Sequence, residues 1–134
     1  MSTSFALQQA IYVALAANAD LKALIGDPPR LFDFVPRDSD FPYVVIGDAI
    51  QSDWSTATED GTEHQLTINV WSRSTGHKEA KAIAEVIRAV LNNAALSVSG
   101  ATLIDIRHLA TDFARQPDGQ TYRASLRFRA VTEP

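Results

Sequence analysis

The side chains able to do acid, base, metal or nucleophile chemistry are sparse in this 134-residue sequence and badly spaced for it. Three histidines, His64, His77 and His108, fall on separate stretches, without the i, i+4 pairing of a helical metal site. Cysteine is absent, which removes thiolate ligands, disulfides and cysteine nucleophiles together. Ser52, Ser55 and Ser72 lie outside any G-x-S-x-G turn. The six glycines form no G-x-G-x-x-G or phosphate-loop pattern, and Asp38-Ser39-Asp40 is too short for a calcium loop. Asp53, Glu59, Asp60 and Glu63 cluster around a polar loop. Paired carboxylates do acid–base work where burial raises one of their pKa values, and a solvated loop tip offers no such burial. The expectation is no catalytic residue, no cofactor, no bound metal and no enzyme.

Two other groups suit contact better than chemistry. Trp54 and Trp71, with Asp53, Glu59 and Asp60, are candidates for a subunit or partner interface, because tryptophan is enriched at interface hot spots. Arg107, Arg123, Arg127 and Arg129, with Arg115 nearby, are the one local basic concentration. They are candidates for a lumen or interface that meets DNA or an acidic neighbour. The alternative is a solvated sheet face with Asp105 and Asp112 as partial partners.

The elements that would carry these residues are legible from periodicity. Leu7, Ile11 and Leu15 form one stripe of a first helix from about Phe5 to Ala17, capped by Ser4. Asp20 reads as the cap of a short helix through Ile25, stopped by Gly26 and Pro28-Pro29. Arg30 to Val35 reads as a short strand. Tyr43 to Trp54 and the alternating run Leu66, Ile68, Val70 read as arms of a long hairpin, with a polar, mobile tip at Ser55 to Thr62. Ala80, Ile83, Ala84, Ile87 and Leu91 mark the inner stripe of a helix from His77 to Asn93. A second hairpin closes the chain. A three-residue loop Pro117-Asp118-Gly119 would set Ile106 against Ala130, His108 against Phe128, Ala110 against Leu126 and Arg107 against Arg129. That last like-charge pair is unfavourable in isolation. Ile104, Ile106, His108 and Ala110 would share the apolar face. The order predicts one α+β domain over residues 1–134. Its single antiparallel-rich sheet is built from two hairpins plus a short strand, with two main helices packed on one face.

Composition agrees with a packed domain: 46% hydrophobic and 21% charged residues. No apolar run reaches the roughly eighteen residues of a membrane span, and the N-terminus lacks a signal-peptide pattern. Synthesis in the cytoplasm without a membrane partner is expected. The net charge of −4 weighs against bulk nucleic-acid binding through the arginine face.

Several stretches carry a resemblance that spans nearly the whole chain. They are ALQ-x-AIY-x-AL (Ala6–Leu15), DLKALIGD (Asp20–Asp27), FPYVVIGD (Phe41–Asp48) and DWST (Asp53–Thr56). They continue with EHQLTINVWSR (Glu63–Arg73), GHKEAKAIA from Gly76 and PDG-x-x-x-R-x-x-L-R-F-R (Pro117–Arg129). In these the chain resembles the tail-completion family of long-tailed bacteriophages, also found in prophages and gene transfer agents. The FPYVVIGD and GHKEAKAIA wording leans toward gene transfer agents. The resemblance implies a tail terminator without enzymatic activity. Such a protein forms a hexameric ring on the last ring of tail-tube protein, ends tail elongation and provides the docking surface for the head. DNA passes through its central hole. The partners implied are further copies of itself, the tail tube protein and a head-side connector protein. The location implied is the head-proximal end of the tail of a virion or gene-transfer-agent particle, made in the cytoplasm of a bacterial host. The alternative is the head-side connector of the same particle.

Overall fold

The computed structural model describes residues 2–134. Eight elements follow in order: α1 (Thr3–Ala16), α2 (Ala19–Ile25), β1 (Leu31–Phe32), β2 (Tyr43–Asp53), β3 (Thr62–Ser72), α3 (Lys78–Leu91), β4 (Thr102–Arg115) and β5 (Tyr122–Glu133). The five strands make one sheet in the order β1-β2-β3-β5-β4. Only the β1–β2 pairing is parallel; both hairpins and the β3–β5 seam between them are antiparallel.

The period-two pattern decides which face is covered. Val44, Ile46, Leu66, Ile68, Val70, Ala124, Leu126, Phe128 and Ala130 turn to one side and are buried. Against them pack Leu7, Ile11 and Leu15 of α1, Leu21 and Ile25 of α2, and Ile83, Ile87 and Leu91 of α3. A sheet with one apolar face and three helices with apolar stripes bury each other's surface and leave the second sheet face open.

Several boundaries differ from expectation. Ser2, not Ser4, caps α1: its extended backbone lets its Oγ accept from the N–H of Phe5 at 3.1 Å. Asn18, not Asp20, caps α2, its Oδ1 accepting from Leu21 N–H at 2.9 Å. Asp20 sits in the first turn, where a negative charge suits the helix dipole. Gly26 ends α2 at φ +99°, as its position predicted. The strand expected over Arg30–Val35 shrinks to two residues that pair with Val44 and Val45.

In the last hairpin Ile106–Ala130, Arg107–Arg129 and His108–Phe128 pair as expected. The turn does not close as expected. Gln116 N–H bonds to the Thr121 carbonyl at 2.7 Å, so the connection is longer and the pairing near the tip is displaced by one residue. A bulge at Leu109 takes up that residue and restores the expected register toward Ile106. Ala110 therefore opposes Arg127, not Leu126, and leaves the apolar face. A second bulge at Ile104 removes that residue from the buried stripe and leaves it half exposed.

Candidate assembly surface

The open sheet face carries the arginines, and each of the four on it has an acidic partner. Arg107 meets Asp105 at 3.4 Å, and Arg123 meets Asp112 at 3.3 Å. Arg127 reaches the other oxygen of Asp112 at 4.0 Å, and Arg129 Nε donates to Glu63 at 2.8 Å. This arrangement offsets the Arg107–Arg129 repulsion within the monomer: each of the two arginines points to its own carboxylate. Hydrogen bonds from Gln65, and then from Arg129, hold the Glu63 carboxyl below the usual range. It is therefore an acceptor fixed in the ionised state, not an acid poised for proton transfer.

The interface candidates divide between the two ends of the long hairpin. Trp71 pairs with Tyr43 and Arg123 at one end and is half-buried on the open face. Phe41 and Tyr43 stack nearby at 5.0 Å, and Arg73 lies over the Phe41 ring at 4.4 Å. Trp54 lies just past β2 at the other end, 49% exposed, with Arg129 5.7 Å from its ring centre. Nine residues of β3 separate the two levels, roughly 30 Å of strand. The tryptophans therefore do not form one patch.

The tip that joins β2 to β3 has its own hydrogen-bond pattern. Asp53 accepts from the Ser55 hydroxyl at 2.6 Å and from its N–H at 3.2 Å. Thr56 N–H donates to the Glu59 carbonyl at 2.7 Å, and Glu59 N–H returns to Thr56 Oγ1 at 3.0 Å. Gly61 lies against Trp54, where an added Cβ would stand 3.0 Å from the Trp54 carbonyl oxygen. Glu59 and Asp60 are exposed at the end of this loop.

The histidines are structural. His64 is buried and its Nε2 contacts Thr132 Oγ1 at 2.9 Å. His77 lies edge-on to Tyr122 at 4.8 Å, and His108 edge-on to Phe128 at 5.5 Å. Among the described residues, no group of three His, Asp or Glu is placed to hold a metal ion. Among the same residues, no helix is long and apolar enough to cross a membrane.

One surface was missed by the sequence reading. The outward side of α1 presents Phe5, Tyr12 and Val13, at 44%, 42% and 65% exposure. With Gln8 and Asp33 these residues line a groove of about 480 Å³. The signal was available: α1 contains no charged residue at all. Leu109 is exposed on the open side with Arg107, as strand alternation predicts, whereas Ile104, expected on the apolar face, is exposed because of its bulge.

A sheet with one open face, and apolar groups left in solvent, give this small α+β protein ample surface for contact with other chains. The family model described as "Tail completion protein gp17" matches residues 9–133, and the chain belongs to that family of structural tail proteins. A chain of the structure titled "Virion of native gene transfer agent (GTA) particle" is similar at 32% identity, with a TM-score of 0.91. The similarity covers 99% of this chain and 98% of that one. A comparison with curated proteins finds no match.

Proposed function

We propose that this protein is a tail terminator of a gene-transfer-agent or phage particle. It assembles as a hexameric ring on the end of the tail tube, ends elongation and presents a surface to the head-side connector. It acts by contact and without enzymatic activity. The observation that carries this reading is the end-to-end likeness to a chain of a gene transfer agent virion, at 32% identity and a TM-score of 0.91. The candidate contact residues fit it as two bands: Trp54, Asp53, Glu59 and Asp60 at the tip, and Arg107, Arg123, Arg127 and Arg129 across the open face. DNA meets the protein only in passage through the ring.

The test is electron microscopy of particles from a strain lacking the gene. Overlong tails without heads are expected. Tails of normal length beside unjoined heads would move the protein to the connector on the head side. Intact particles would overturn the structural reading.

A further inference from the structure

Charge and apolar exposure are distributed unevenly over the molecule. Residues 1–61, which form α1, α2, β1, β2 and the hairpin tip, hold nine Asp and Glu against three Lys and Arg, a net charge of −6. Residues 62–134, which form the rest of the sheet and α3, hold seven against nine, a net charge of +2. The acidic part lies at the β1–β2 edge of the sheet and the basic part reaches the opposite edge at β4.

Each side also exposes aliphatic or aromatic groups. On the acidic side is the α1 groove, with Phe5, Tyr12 and Val13 beside Asp33. A helix face turned to water normally carries charge, as α3 does with Lys78, Glu79, Lys81, Glu85 and Arg88. α1 carries none, as suits a face covered by protein. On the basic side, Ile104 and Leu109 are 50% and 53% exposed. Both are extra residues at bulges of the edge strand β4. Bulges re-aim side chains and blunt an edge against strand addition, so this rim offers projecting side chains in place of a free ladder. Arg107 lies two residues from Leu109 and is well exposed.

We infer that these two surfaces are the two halves of one heterologous contact. The β4 rim of one copy, with Ile104, Leu109 and Arg107, seats against the α1 groove of the next, with Phe5, Tyr12, Val13 and Asp33. A second copy satisfies both halves at once: opposite charge, apolar surface on each side, and positions at opposite edges of one sheet. Because the halves differ, the contact runs head to tail and closes into a ring at a fixed rotation. The inference rests on the ring reading above and names the surfaces that make the ring.

The absence of cysteine makes the test clean. Val13→Cys, Leu109→Cys and the double variant are expressed in place of the native chain, and assembled particles are treated with a short bis-maleimide. The double variant should give a ladder of covalent multimers, and neither single variant should give even a dimer. Dimers from Val13→Cys alone would indicate a two-fold contact and overturn the inference. Particles that contain the double variant and give no ladder would overturn it too. A Leu109→Glu variant that melts like the native protein should reduce particle yield at least tenfold; an unchanged yield counts against the contact. The outcome is separable from that of the gene deletion: overlong tails without a ladder sink only this contact, and a ladder without overlong tails sinks only the terminator.

Discussion

At the scale of single residues, burial and backbone conformation set the strongest expectations. His64 is fully enclosed with Thr132 as its partner, and burial lowers its pKa from 6.5. The unfolded chain therefore takes up a proton at higher pH than the folded one. Stability should fall as pH drops below about 6.5, until the folded form also protonates. Denaturant midpoints measured from about pH 7.5 to about pH 5, on either side of the ordinary histidine value, should show this slope, and His64→Leu should flatten it. Gly26 holds φ +99°, and an added Cβ would lie 2.8 Å from Arg30 Nη1. Gly26→Ala should cost about 1–3 kcal/mol in urea unfolding. Phe128 lies at the centre of the covered face with no exposure, and Phe128→Ala should cost about 3–5 kcal/mol by the same measurement. The inward residues were legible, since Leu66, Ile68, Val70 and the α3 stripe follow strict periods. The exposed Phe5, Tyr12 and Val13 were not legible as a surface, because α1 is apolar on nearly every side and its periodicity does not separate covered groups from open ones.

At the scale of elements, the sequence located every helix and both hairpins but misplaced caps and one turn. Ser2 and Ser4 are both competent capping residues two positions apart. What decides between them is which backbone stays extended, a tertiary matter that propensity does not encode. Ser2→Ala should cost about 1 kcal/mol, whereas Ser4→Ala, inside the helix, should change stability by less than about 0.5 kcal/mol. Thermal melts of the two variants separate the assignments. The last hairpin shows two departures that offset each other. The loop closed one residue later than its Pro-Asp-Gly text suggested, and the bulge at Leu109 restored the pairing around His108. Turn chemistry alone could not reveal this, because a bulge is recognised by its cross-strand partner and not by local composition.

At the scale of the whole molecule, the arrangement of charge matters more than its total. A chain of net charge −4 with one side at −6 and the other at +2 has a directional attraction between copies. Exposed charges chiefly speed encounter, while the apolar contact holds the product. Raising sodium chloride from about 0.05 to 0.5 M, across the range where screening shortens to well under about 10 Å, should slow ring formation. Rings already formed should remain intact. Light scattering during assembly checks the first expectation and native mass spectrometry the second. Most of the arginine face has a smaller part here: Arg123, Arg127 and Arg129 are engaged by Asp112 or Glu63, and Arg107 alone, well exposed beside Asp105, stands at the β4 rim.

The bulge at Leu109 also governs where the chain tolerates a change of length. Away from the two bulges of β4, loss of one residue would invert the side chains beyond it and bring polar groups into the core. Removal of Leu109 itself would join His108 to Ala110 as direct neighbours. Their partners Phe128 and Arg127 are already consecutive, so every cross-strand pair on either side would be kept. A chain of 133 residues lacking only Leu109 should therefore fold with its sheet intact. Such a shortened version would separate folding from assembly within one gene.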